Sequence, residues 1–227
     1  MHFLYPLLGA TLTQAAAFTK RFNSNNWCGP VTSSKNITSV EATWTVPSVS
    51  LPKGGAPNET YQFYQWVGID GTNNCGALLQ GGTGQTIENG QTSYYTWYEF
   101  WPAGPLSGHV NVSSGDTIYV KVDATSATTG TIYLENKSTG EKYTENATSP
   151  GPSLCFASAN WIGEDPGNTP EPFPAFTEYE FTDCKAQTGS GKMLNLAGAE
   201  DWIMYKDQKR LCHPKRKGDS ATSIIYG

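Results

Sequence analysis

The sequence predicts an all-β protein, an antiparallel sandwich or barrel, on three observations. Apolar and polar residues alternate along several short runs. Turn signals separate those runs. No segment keeps a helical spacing of apolar residues over three turns. Successive side chains of a strand point to opposite faces, so alternation marks a strand with one buried face.

In chain order, Val40, Ala42, Trp44 and Val46 alternate with Glu41, Thr43 and Thr45. Ile118, Val120 and Val122 alternate with Tyr119 and Lys121, and Ile132 and Leu134 with Tyr133 and Glu135. Turns are marked by Gly54-Gly55, Asn73-Asn74, Asn89-Gly90, Ser114-Gly115-Asp116, Thr129-Gly130 and Thr139-Gly140. The Pro-rich stretch 166–174 reads as a loop, and 196–210 as strand, turn, strand around Lys206-Asp207. The basic stretch from Lys206 to Lys217 reads as a solvated turn. No linker divides residues 22–227, which read as a single domain.

The first residues read differently. An apolar run over 3–12, too short to span a bilayer, is followed by Ala15, Ala16 and Ala17, the pattern of a signal peptide over 1–17. Residues 18–21 then form a short pro-like segment ending in the dibasic pair Lys20-Arg21, where processing leaves Phe22 first. Five sequons, at Asn36, Asn58, Asn111, Asn136 and Asn146, fit a secreted, extracellular glycoprotein and place each Asn on a surface loop or solvent face.

Composition excludes several classes. The 227 residues carry 15 Lys+Arg against 20 Asp+Glu, a net charge of −5, so no broad basic face for nucleic acid is expected. No run reaches membrane length, and a monomer is expected. Only His2, His109 and His213 occur, and the Cys spacing suits no metal, so neither metal nor cofactor is expected. HExxH, GxSxG, the DTG and DSG triplets and a phosphate-cradling glycine loop are absent. An enzyme made of these residues must work with carboxylates, amides and water. Cys28, Cys75, Cys155, Cys184 and Cys212 would pair in an oxidising compartment and leave one over, with connectivity open.

Three segments concentrate unusual side chains. They are Trp66-Val67-Gly68-Ile69-Asp70-Gly71 with the following Leu78-Leu79-Gln80-Gly81-Gly82, Tyr94 to Pro102, and Ala159 to Asp165. In strands, Tyr95, Trp97, Glu99 and Trp101 share one face, and Asn160, Ile162 and Glu164 share another. A carboxylate set among aromatics suggests a cleft wall.

The sequence resembles the glutamic peptidases (eqolisins), secreted fungal acid proteases of the scytalidoglutamic and aspergilloglutamic type. Nine pieces carry the resemblance in order: Asn26-Trp27, ATWTVP at 42–47, WVGIDG at 66–71, ALLQGG at 77–82, TWYEFWP at 96–102, LEN at 134–136, SLC at 153–155, WIGED at 161–165 and EYEFTDC at 178–184. The resemblance implies a concanavalin A-like sandwich of two packed antiparallel sheets. It implies an endopeptidase acting on proteins or peptides, with Gln80 and Glu164 catalytic. It implies that Trp27, Trp66, Asp70, Trp97 and Glu99 line or support a substrate cleft, and that Cys75 and Cys155 are bonded. A bridge between Cys184 and Cys212 is the further expectation, with Cys28 left over.

The implied chemistry is a water activated by Glu164 and an oxyanion held by the Gln80 amide, with no covalent intermediate. A Glu near its reference pKa of about 4.3 suits an acidic medium. Gly84 and Tyr95 stand where acidic residues accompany the dyad in the family, and Asn160 replaces another. Two other readings use the same residues: a carbohydrate-binding sandwich without activity, and a glycosidase with Glu99 and Glu164 as its carboxylate pair.

Overall fold

The computed structural model describes residues 19–72, 74–167 and 173–227. The signal-peptide reading of 1–17, and residues 73 and 168–172 of the expected turn and loop, lie outside the described residues. The described residues form strands and no α-helix: β1 (Arg21–Ser24), β2 (Trp27–Ser33), β3 (Ile37–Thr45), β4 (Val49–Ser50), β5 (Tyr61–Asp70), β6 (Leu78–Glu88), β7 (Gln91–Trp101), β8 (Leu106–Ser107) and β9 (Thr117–Ala124). The remainder are β10 (Thr129–Asn136), β11 (Lys142–Thr148), β12 (Ser158–Glu164), β13 (Ala175–Phe176), β14 (Tyr179–Thr188), β15 (Met193–Leu194), β16 (Glu200–Lys206), β17 (Lys209–Arg216) and β18 (Thr222–Tyr226).

One hydrogen-bonded path runs β11-β10-β9-β3-β14-β18-β17-β16-β2-β12-β5-β6-β7-β8. Its two halves fold over each other as the layers of a sandwich. The pairs are antiparallel except β1 with β16, which is parallel. The alternating residues read from the sequence form the seam between the layers. Val40, Ala42 and Trp44 of β3, Val120 and Val122 of β9, and Ile132 and Leu134 of β10 are buried there with Phe63, Val67, Ile69, Leu79 and Trp161 of the opposing layer. Fully burying a large apolar side chain contributes roughly 1.5–3 kcal/mol. Two indoles also join the layers: Trp44 Nε1 donates to Thr83 Oγ1 at 3.0 Å, and Trp161 Nε1 to the Glu41 carbonyl at 2.9 Å.

On the outer face of the second layer aromatic rings close over two buried glycines, Gly82 and Gly84. Trp66 and Trp97 lie opposite Gly82 on either side, and Tyr64 and Tyr95 lie opposite Gly84. A Cβ on Gly82 would stand 1.9 Å from the Gln65 carbonyl oxygen, and one on Gly84 2.5 Å from the Tyr95 ring. The bare Cα of Gly84 thus lets the Tyr95 ring fold over the strand, and that of Gly82 lets β5 approach β6 closely.

Three expectations are corrected. Cys212 bonds Cys28, not Cys184. Both β2 and β17 pair with β16, Gly29 opposite Trp202 and Cys212 opposite Met204, and this sets the Cα atoms of Cys28 and Cys212 5.8 Å apart. Cys184 is the free cysteine, buried in the core on β14. Cys75 and Cys155 are bonded across a separation of 80 residues.

Asn136 does not lie on the surface. It is fully buried, its Nδ2 donating to the Asn111 carbonyl and Asp116 Oδ2 and its Oδ1 accepting from the Ser138 and Thr139 N–H groups. An amide used this way closes the turn after β10 and is closed to a glycan. Asn36, Asn58, Asn111 and Asn146 are exposed.

Finally, the basic stretch is a strand. β16 and β17 form a hairpin turning at Asp207-Gln208, both at positive φ. Lys206 pairs with Asp165 at 2.5 Å and Arg216 with Asp201 at 2.6 Å.

Candidate active site

A cleft of about 480 Å³ lies on this face, and its lining includes Asn26, Trp27, Tyr64, Gln80, Trp97, Glu99, Trp101 and Glu164. Three strands of one layer deliver its acid and amide groups: β12, and across β5 from it the adjacent pair β6 and β7. Glu164 ends β12 opposite Tyr64 of β5, and Gln80 of β6 lies opposite Gly68 of β5 and Glu99 of β7. Glycine at 68 is needed, since a Cβ there would come within 3.0 Å of both Gln80 Cβ and the Leu79 carbonyl.

Glu164 is held by N–H donors on both oxygens. Oε1 accepts from Trp27 Nε1 at 2.9 Å and Asn26 Nδ2 at 3.4 Å, and Oε2 accepts from Trp66 Nε1 at 2.7 Å. Trp27 is itself fixed: its backbone N–H donates to Ser24 Oγ at 3.0 Å, and its ring meets Trp66 edge-on at 4.9 Å. Trp202 packs beyond it at 5.4 Å and Phe22 on Trp202 at 4.3 Å, each ring tilted to its neighbour. Burial pushes the Glu164 carboxyl up to about 7, against the two indole donors and with help from the Glu99 and Asp165 charges. The expectation of a base near the ordinary carboxylate value is therefore corrected: the site that positions this group also desolvates it.

Glu99 receives less. Its Oε2 accepts from Gln80 Nε2, and burial pushes it to about 7 with that one bond opposing. Gln80 Oε1 and Trp97 Nε1 are buried with no hydrogen-bond partner. No Lys, Arg, His or free Cys is among the described residues lining the cleft.

Of the expected cleft residues, Trp27, Trp97 and Glu99 line it. Trp66 is buried and acts through Glu164. Asp70 is corrected from a substrate-binding residue to a brace. It is fully buried at φ 73°, and its carboxylate accepts from the N–H groups of Cys155, Phe156, Ala157 and Ser158 at 2.7–3.3 Å. It thus secures the approach to β12 beside the Cys75–Cys155 bond. Trp101, read from the sequence on the same face as Trp97 and Glu99, also lines the cleft, whereas the sequence reading gave no cleft role to Asn26 or Tyr64. Tyr64 could have been found from period 2, because it shares a face with Trp66 two residues on. Burial and Tyr95 raise the Tyr64 hydroxyl far above its ordinary value, so it stays protonated.

A sandwich whose cleft offers glutamates and glutamines, and no serine, thiol or histidine among its described lining, has the make-up of the glutamic-peptidase class. Residues 25–226 match the profile of the peptidase A4 family, and the chain belongs to that family. It is 34% identical over 217 residues to aspergillopepsin-2 of Aspergillus niger, covering 88% of this chain and 77% of that one. It is 35% identical over 188 residues to scytalidopepsin B of Scytalidium lignicola, covering 78% and 68%. Among solved structures, scytalido-glutamic peptidase with a transition-state analogue inhibitor superposes with a TM-score of 0.79 at 30% identity, over 89% of this chain and 98% of that one. Aspergilloglutamic peptidase from Aspergillus niger gives 0.68 at 33% identity, over 74% and 99%.

Proposed function

We propose that the protein is a secreted endopeptidase in which Glu164 activates water and Gln80 stabilises the oxyanion. Glu164 takes a proton from the attacking water and returns it to the leaving amine, while the Gln80 amide hydrogen-bonds the developing negative charge. Water attacks directly and no covalent intermediate forms. The observation that carries this reading is the donor set on Glu164: Trp27, Trp66 and Asn26 fix both oxygens of a cleft carboxylate in a family of peptidases. The substrate backbone lies in the cleft against Trp27, Trp97 and Glu99.

The two disulfides suit an oxidising compartment, which supports export. Processing after Lys20-Arg21 would leave Phe22 as the first residue, its ring packed against Trp202. Glycans are proposed on Asn36, Asn58, Asn111 and Asn146, and the working form is a monomer that meets neither nucleic acid nor membrane.

The test is hydrolysis of denatured casein in weakly acid solution with pepstatin, a metal chelator, and serine- and thiol-directed reagents. Activity should survive all four. It should fall by about 10²–10⁴-fold in folded Glu164→Gln and by about 10²–10³-fold in kcat for Gln80→Ala. Strong inhibition by any one reagent, or wild-type rates from folded Glu164→Gln, would overturn the reading.

A further inference from the structure

The cleft contains two carboxyls, and their partners differ. Glu164 accepts three N–H bonds, which favour its charged form. Glu99 accepts only one, from a neutral amide that is itself left with an unpartnered acceptor, Gln80 Oε1. Gln80 is 4% exposed and Glu99 7%, so water does not readily supply the missing bond. An acceptor buried without a donor costs about 1–3 kcal/mol. The group opposite Gln80 in register is the one that can supply the donor.

We propose that Glu99 is a positioning residue that works protonated: its hydroxyl donates to Gln80 Oε1, and the Gln80 Nε2 hydrogens turn to the scissile carbonyl. This rests on the assignment of Gln80 as oxyanion donor. It removes the orphaned acceptor, because the acid supplies the O–H that the carboxylate lacks. It frees the amide donors from a competing anion. It also removes a negative charge beside the place where the oxyanion forms.

The groups facing Glu99 agree with this. Across β6 it feels the neutral Tyr64 hydroxyl of β5, and beyond β5 the Glu164 carboxyl of β12, and no cation is present among the described cleft residues to hold a second negative charge. The active cleft therefore carries one proton between two carboxyls, Glu164 charged and Glu99 neutral. Burial holds both near 7, so that form is within reach in weakly acid solution. Removing the proton from Glu99 turns the amide back toward the carboxylate and stops the reaction. Activity then falls on the alkaline side for a reason separate from unfolding.

The test compares Glu99→Gln with Glu99→Ala in pH profiles of kcat and KM. Glutamine keeps a donor for Gln80 Oε1 at every pH, and alanine keeps none. Glu99→Gln should retain at least tenfold more kcat than Glu99→Ala, with KM similar in both, and its alkaline limb should move at least one pH unit above that of the wild type. Equal damage in the two variants, or a Glu99→Gln limb that coincides with the wild type, would overturn the proposal. If Glu99→Ala does not fold, the alkaline limb of Glu99→Gln decides alone. Failure of the Gln80 assignment is seen separately, as wild-type kcat in Gln80→Ala.

Discussion

Raising the pH from 4.5 to 8 should destabilise the folded protein through Glu164, by an amount the structure allows to be worked out. The carboxyl moves from an ordinary 4.5 to about 7 on folding. Each pKa unit is 1.36 kcal/mol, so about 2.5 units correspond to about 3 kcal/mol. The sign follows from which form folding disfavours. A raised carboxyl pKa gives stability that is fully present below the unfolded value and is lost as pH rises through about 7. Water in the cleft screens part of this, which leaves about 2–3 kcal/mol. Against a net stability of about 5–15 kcal/mol that is a large share. Asp201, raised by burial against Arg216, adds in the same direction. The assay is thermal unfolding at pH 4.5 and 8 for the wild type and for Glu164→Gln, which cannot titrate there. The wild type should lose about 4–12 °C more than the variant, at roughly 2–4 °C per kcal/mol for a chain of this size. Parallel melting curves for the two proteins would refute the reasoning.

Trp66→Phe and Trp27→Phe each delete one N–H donor to Glu164 while keeping an aromatic ring. Bonds to charged groups are worth about 1.5–3 kcal/mol, so the acid limb of kcat/KM should move up by about 1–2 pH units in each variant. Asp70→Asn should destabilise by about 2–4 kcal/mol in urea titration, since four backbone N–H groups lose their charged acceptor and one amide nitrogen must now face them. Mass spectrometry of the glycoprotein should find Asn136 bare, whatever the occupancy of Asn36, Asn58, Asn111 and Asn146.

Strands with one wet face were legible because alternation records one-sided burial. β3, β9 and β10 show this, with Val40, Val122 and Ile132 at the seam and charged neighbours outside. The order of strands was not legible, and the Cys28–Cys212 pairing depends on that order. No local pattern states that β2 and β17 meet the same strand. Asn136 shows the limit of a motif: a sequon is three residues, while burial of its amide is decided by Asn111 and Asp116 far along the chain. Gln80 and Glu164 came into view through ordered motifs, whose spacing survives where individual side chains change. Asn26 did not, because its role is set by Glu164 on a distant strand, whereas Tyr64 was within reach of the strand period it shares with Trp66. The desolvation of Glu164 was likewise out of reach, since it arises from three segments closing over one carboxyl.

Cys184 carries a consequence for how the chain must be made. Thiol–disulfide exchange needs a thiolate with access to the sulfur it attacks. In the finished protein this thiol has neither, being wholly buried and pushed far toward its protonated form. Before β14 closes into the core it has both, and it competes with Cys28 for Cys212 and with Cys155 for Cys75. Correct pairing thus depends on the hydrophobic seam forming before the sulfurs are oxidised. Strongly oxidising refolding in vitro should trap scrambled isomers, and a mildly reducing exchange buffer, or a valine in place of this one cysteine, should recover the yield.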